Sequence, residues 1–137
     1  MALLGIDIGT THCKAGVFKE NGSVIQIAVR PTIAHYNRQG EPYYLPEEIW
    51  GNITSCLKEI MLCCEEEVSA IGITSMAETG LLVDKQTGKP RTHFIPWFSR
   101  CAEGEAEEIA NEDSPLHRFQ KTGLHSSYKY GLGKIIH

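Results

Sequence analysis

A lone carboxylate set against a glycine-threonine turn is the densest piece of chemistry in the sequence. Asp7 closes the apolar run Leu3-Leu4-Gly5-Ile6-Asp7-Ile8, and Gly9-Thr10-Thr11 follows at once, with His12, Cys13 and Lys14 behind it. A tight corner of this composition exposes backbone N–H groups and hydroxyls, a nest suited to an anion such as phosphate. Asp7 beside that nest would repel phosphate unless a divalent cation lay between them. The carboxylate therefore implies Mg²⁺, held directly or through its waters. Lys14 would add a positive charge to the same oxygens. The competing explanation is a plain β-hairpin whose Asp and Thr side chains only satisfy the turn.

Other polar residues carry less. His12 is close enough in sequence to touch a phosphate, but an exposed turn histidine is the simpler reading. His35, His93, His117 and His125 share no ligand spacing. The five cysteines are odd in number and form no CxxC pair, so they read as thiols in a reducing compartment rather than a zinc site or disulfide framework. A redox role for Cys63 and Cys64 remains a rival on sequence grounds. Asn52-Ile53-Thr54 matches a glycosylation triplet by chance, since it falls on a helix.

The elements that must position the corner follow from pattern. Strands are expected at 3–8, 15–18 and 24–29, the last two joined by Glu20-Asn21-Gly22-Ser23, a hairpin signal. Residues 31–45 read as a polar loop. Pro46 stands at the first position of a helix with Glu47 and Glu48 in its first turn, favourable to the helix dipole. Ile49, Ile53, Leu57, Ile60, Met61 and Cys64 share one face of that helix, which should run to about residue 66. A fourth strand over 68–76 is apolar enough to be central. Shorter strands are expected at 79–84 and 94–97, around a turn at 85–90. A helix over 100–112 carries Ala102, Ala106, Ile109 and Ala110 on one side, and Ser114-Pro115 caps another that ends near Gly123. Residues 133–137 look like the opening turn of a helix, so the chain reads as a fragment of something longer.

The net charge of −4 with scattered Lys and Arg argues against a nucleic-acid or anionic-membrane partner. No apolar stretch approaches the roughly 18 residues needed to span a bilayer, and the amino terminus lacks a leader pattern. A cytoplasmic protein with a small-molecule partner is the expectation.

The run Gly5-Ile6-Asp7-Ile8-Gly9-Thr10-Thr11-His12-Cys13-Lys14-Ala15-Gly16-Val17-Phe18 resembles the first phosphate motif of the sugar-kinase, heat-shock-protein and actin superfamily, and more narrowly that of the FGGY carbohydrate kinases. The resemblance extends along the chain. Leu45-Pro46-Glu47-Glu48-Ile49-Trp50 is similar to the family's helix start. Ile71-Gly72-Ile73-Thr74 with Met76-Ala77-Glu78-Thr79 occupies the place of the sugar-contacting strand end. Pro96-Trp97-Phe98-Ser99-Arg100 resembles the segment after it, and Thr122-Gly123-Leu124 opens the stretch leading to the family's lysine, here Lys134.

The resemblance implies a ribonuclease-H-like α/β domain of the actin-like ATPase and sugar-kinase superfamily. It would have a mixed sheet, a β-β-β-α-β start and flanking helices, and be truncated. It implies ATP and Mg²⁺ as cofactors, with Asp7 organising the metal and Gly9, Thr10, Thr11 and Lys14 facing the transferring phosphate. It places Ala77, Glu78 and Trp97 at the substrate, a sugar or polyol. Glu78 sits where glycerol kinases have a carboxylate and xylulokinases a histidine, and Trp97 would wall the C–H face of a polyol. Ala77 stands where glycerol kinases carry an Arg, and His137 where the family has a Trp. The implied organisation is one partial amino-terminal domain over 1–137. It comprises phosphate-binding hairpin strands over 1–30, a helix over 46–66, sugar-site strands over 68–99 and helices over 100–137. The family's catalytic base and adenine pocket would lie beyond residue 137, so no catalytic residue is expected in this chain and it should be silent alone. Apolar surface left uncovered leaves a homodimer among the expected partners. The alternatives are a non-kinase ATPase or an actin-like or sugar-sensing module of the same superfamily.

Overall fold

Strand β1 (Ala2–Ile8) is the spine of the larger sheet, turning through Gly9–Thr11 into β2 (His12–Lys19), which returns antiparallel. β3 (Val24–Pro31) continues antiparallel after the turn at Asn21 and Gly22, where Gly22 adopts φ 84° and Ser23 N–H donates to Asn21 Oδ1 at 3.0 Å. A short ribbon, β4 (His35–Tyr36) with β5 (Pro42–Tyr43), replaces part of the polar loop expected there. Helix α1 (Pro46–Met61) then crosses over to β6 (Val68–Ser75), which lies parallel to β1. The sheet order is β3-β2-β1-β6, a mixed sheet with the β-β-β-α-β start. The computed structural model describes residues 1–137. It divides into two compact units, Met1–Ala34 with Tyr44–Met76, and His35–Tyr43 with Ala77–His137.

In the first unit α1 buries Ile49, Ile53, Cys56 and Ile60 against the sheet, at helical spacings of four, three and four. They meet Ala2, Leu4, Ala15, Val17 and Ala28, with Ile6, Ile25, Leu57, Cys64 and Val68 packed at the margin. Cys56 belongs to the buried face, whereas Met61, expected on it, is exposed. The helix stops at Met61 instead of continuing to about residue 66. Cys63 N–H and Cys64 N–H close onto Ile60 O and Met61 O three residues back. The acidic run at 65–67 would also oppose the helix dipole at that end. Glu66 instead pairs with the Met1 amino group at 2.8 Å, and Ala2 N–H donates to Glu67 O, which launches β6 beside β1.

β6 is an edge strand, not the central one its apolar composition suggests, and Ile71 and Ile73 are exposed. Helix α1 packs on β1, β2 and β3 and leaves β6 uncovered beyond Val68. On the sheet face away from α1, Gly5 and Gly16 pair across β1 and β2 and make room for the Phe18 ring. A Cβ on Gly16 would meet that ring at 2.9 Å.

The second unit has little regular structure before residue 103. The expected strands over 79–84 and 94–97 are reduced to isolated bridges, Gly80 with Ile95 and Val83 with Pro90. Pro90 and Pro96 remove ladder donors, and Leu82 N–H goes to the Thr92 hydroxyl rather than to backbone. Helices α2 (Glu103–Asn111), α3 (Pro115–Thr122) and α4 (Gly131–Ile136) follow, α2 packing against α4. α3 is bounded as its residues dictate. Ser114 Oγ accepts from His117 N–H at 3.2 Å, and Gly123 ends the helix at φ 71°. No helix is long and apolar enough to cross a membrane.

Candidate functional site

In the first unit the chemistry gathers where β1 bends into β2. Asp7 and Lys14 are register partners, so their side chains rise from the same sheet face, with Thr74 of β6 beside Asp7. Lys14 Nζ donates to Asp7 Oδ2 at 3.3 Å, and both side chains are about half exposed, at 50% and 42%. The pair is long, open and made through one carboxylate oxygen. Oδ1 keeps its lone pairs for a cation. Asp7, Lys14 and Thr74 line an open groove of about 470 Å³ that continues over Gly5, Gly16 and Gly72.

The turn itself is tied from behind. Gly9 O accepts from Thr32 Oγ1 at 3.0 Å, Thr10 O from Tyr44 OH at 3.2 Å, and Thr11 O from Thr32 N–H at 2.9 Å. Thr32 and Tyr44 are buried. With three successive carbonyls turned inward, the Thr10 and Thr11 N–H groups are left for an incoming anion. Gly9 N–H closes the turn onto His12 O at 2.9 Å, and a Cβ on Gly9 would lie 2.9 Å from that same oxygen. Only glycine fits this corner. His12 Nδ1 reaches Thr11 Oγ1 at 3.2 Å and stays exposed. The donor set fits magnesium accompanied by its waters and phosphate oxygens, because one carboxylate suffices for an ion that keeps much of its hydration shell. No group of three or more His, Cys, Asp or Glu side chains is placed to hold a metal by itself.

In the second unit Glu78 holds a backbone conformation rare for its type, with φ 55°. A non-glycine residue in the left-handed region costs about 1 kcal/mol or more and persists only where its surroundings fix it. Here Gly131 N–H donates to Glu78 Oε2, and a Cβ on Gly131 would approach that oxygen to 3.1 Å. Thr79 Oγ1 accepts from Trp97 N–H at 3.0 Å, which brings the Trp97 segment beside Glu78. Lys129 Nζ sits 5.4 Å from the Trp97 ring centroid and Phe98 meets the same ring edge-on. The indole face read as an apolar wall thus carries an ammonium. Glu78 also lines a cavity of about 580 Å³ walled by Leu81, Leu82, Ile95 and Ile135, which Trp97 does not line. Ala77 is exposed, and its carbonyl accepts from Thr79 Oγ1 at 3.4 Å.

The structure therefore brings Asp7, Gly9, Thr10, Thr11 and Lys14 together in one unit, and Glu78 with Trp97 in the other. Sequence reasoning missed the supports. Thr32 and Tyr44 lie in a stretch read as plain loop. Lys134, noted only for its resemblance, proves to be buried, with its ammonium on the carbonyls of Glu78 and Trp97 at 3.4 Å each and of Lys129 at 2.6 Å.

These features have a common setting in known proteins. The architecture is that of the ribonuclease-H-like sugar kinases, whose solved structures it matches over nearly all its length. A xylulose kinase from Rhodospirillum rubrum superposes with TM-score 0.91 at 23% identity, covering 98% of this chain and 28% of that one. A Plasmodium falciparum glycerol kinase with ADP gives 0.90 at 23%, with 98% and 28% covered. Residues 2–136 match the model of the FGGY family of carbohydrate kinases, N-terminal domain, and the chain belongs to that family. A glycerol kinase from Carboxydothermus hydrogenoformans is 31% identical over 137 residues, 98% of this chain and 25% of the relative. One from Brevibacillus brevis is 34% identical over 125 residues, 89% and 25%. The chain spans about a quarter of the length of these curated relatives.

Proposed function

We propose that this chain supplies the phosphate-binding corner and part of the acceptor site of an enzyme that transfers the γ-phosphoryl group of ATP to a hydroxyl of a sugar or polyol. The observation that carries the reading is the Gly9–Thr11 turn, its carbonyls braced from behind and its Thr10 and Thr11 amides left open beside the half-exposed Asp7. Asp7 would hold Mg²⁺ through its free oxygen and intervening waters. Bound there, the ion would neutralise the charge of the nucleotide phosphates. Gly9 allows the close turn, Thr10 and Thr11 donate to phosphate oxygens, and Lys14 exchanges its loose bond to Asp7 for one to phosphate. Phosphoryl transfer is largely positioning and charge neutralisation, which such a corner is built to provide.

On the acceptor side Glu78 would accept hydrogen bonds from two neighbouring hydroxyls at once. Trp97 would meet the C–H side of the substrate only with the ring face that Lys129 does not cover, and Ala77 leaves the adjoining position small and uncharged. Glycerol and xylulose kinases among the relatives and structural neighbours support a polyhydroxylated acceptor. A general base is still needed to take the proton of the attacking hydroxyl. The chain spans about a quarter of its relatives' length, and by the family resemblance we assign the base and the nucleoside pocket to the remainder of the enzyme. The setting is cytoplasmic, and the uncovered sheet face suits a homodimer. The 137 residues alone should release no ADP above background with any sugar or polyol. An ADP-release assay of the isolated chain that shows substrate-dependent turnover would remove the division of labour proposed here.

A further inference from the structure

The second unit has almost no apolar core. Of all the buried apolar side chains only Pro96 and Ala102 belong to it. Yet Glu78 is held in a strained conformation there, and three separated segments meet without a continuous sheet. Apolar packing there is sparse, and polar contacts carry much of the fixing.

Lys134 is placed to do so. Its side chain is 8% exposed, and its ammonium reaches Glu78 O at 3.4 Å, Trp97 O at 3.4 Å and Lys129 O at 2.6 Å. An ammonium has three donors and no acceptor, so all three are engaged on backbone. None is left for a ligand. The three carbonyls belong to the residues that present the Glu78 carboxylate, the Trp97 indole and the ammonium lying over that indole. Two further bonds complete the arrangement, Gly131 N–H to Glu78 Oε2 and Trp97 N–H to Thr79 Oγ1. Gly131 opens the short helix that carries Lys134, so carboxylate and ammonium are tied to the same element. The bond to Lys129 O is short and charge-assisted, the two at 3.4 Å are longer and weaker, and such bonds weigh most where few other contacts compete.

We propose that Lys134 is a positioning residue of the acceptor site: its buried ammonium gathers the backbone of Glu78, Trp97 and Lys129 and sets the distance between carboxylate and indole. Lys134 also lines the Glu78 cavity, but its ammonium is spent on those carbonyls and acts through them. The assignment of that site rests on the proposed function, whereas the clamp itself is a property of the chain.

The test uses the 137-residue chain labelled with fluorotryptophan, whose two tryptophans give two fluorine resonances. Trp97 reports on the clamp, and Trp50, on α1 in the other unit, is the control. Lys134→Met keeps the stem and removes the donors, so the Trp97 line should move or broaden while the Trp50 line stays. Lys134→Arg keeps charge and donors, but its larger fork cannot meet three carbonyls at the same points, and it should displace the Trp97 line with the unit still folded. A Trp97 line at the wild-type position in either folded variant overturns the proposal. Should Lys134→Met alone reach the Trp97 position seen in urea, Lys134→Arg decides. Should both do so, Lys134 supports the unit in general rather than the site, which also overturns it. In the phosphorylating enzyme Lys134→Met should raise KM for the sugar roughly tenfold and leave KM for ATP unchanged. An enzyme that phosphorylates no sugar or polyol would sink the proposed function while leaving the fluorine result to judge the clamp.

Discussion

Asp7 and Lys14 face each other across β1 and β2, and what their pairing is worth decides how Asp7 should be read. At 3.3 Å, with both side chains about half exposed, the pair resembles surface ion pairs that contribute 0–1 kcal/mol or nothing measurable. Such a contact is too weak to be the reason for the carboxylate. A structural role and a phosphate-directed role therefore predict different outcomes for Asp7→Asn, which keeps the shape and removes the charge. Unfolding of the chain by urea should shift by less than about 1 kcal/mol. Phosphoryl transfer by the enzyme should fall by roughly 10²-fold or more, as expected when a group that organises charge at the transferring phosphate is lost. A large stability loss with activity retained would make Asp7 a turn residue.

At the scale of elements, legibility followed sequence distance. The geometry of the corner could be read because Asp7, Gly9, Thr10, Thr11 and Lys14 are close in sequence, and the β2–β3 hairpin because Asn21-Gly22 dictates its own turn. Thr32 and Tyr44, which hold the corner's carbonyls, are joined to it only through the fold, and a single hydroxyl in a loop carries no pattern. Periodicity marked β6 as a strand but could not say what would cover it. The segments around 79–84 and 94–97 have strand composition, yet Asp84 settles their geometry by another route. Its carboxylate accepts from Gln86 N–H, Thr87 N–H and Thr87 Oγ1 and pairs with Arg91. The Arg91 guanidinium, followed by the Thr87 bonds, pulls the Asp84 carboxyl down to about 2 from an ordinary 3.8. A depressed carboxylate contributes order that is fully present above the ordinary value and lost as pH falls through the folded one. The loop at 84–91 should therefore remain ordered at pH 4 and loosen towards pH 2. The Thr87 amide resonance, followed through an acid titration, should report a midpoint near 2. A midpoint at 3.8 would show that the loop is not held this way.

Taken as a whole, the molecule distributes its stabilising contacts unevenly, and this bears on how it opens. All the buried apolar side chains except Pro96 and Ala102 lie in the first unit, where α1 and three strands share one contiguous core. Burial of apolar surface supplies the larger part of folding free energy, about 25 cal/mol per Å². The second unit relies on the Lys134 bonds, the Asp84 turn and the α2–α4 contact instead. Burial also holds the Lys134 amine below the ordinary lysine value of 10.5, with Cys101 and Glu78 pulling the other way, so its charge is kept at some cost. Regions with few buried apolar contacts open at low free energy, while core strands open only near the global limit. Amide hydrogen exchange of the native chain should accordingly show β1 and β2, around Leu4 and Val17, protected at least about 10²-fold more than α2 and α4. Such a split would place the residues proposed to meet the acceptor in the part that yields most easily, and the proposed phosphate corner in the part that does not. Equal protection across both units would mean that the second is stabilised by contacts beyond those named, and that the corner and the acceptor residues open together.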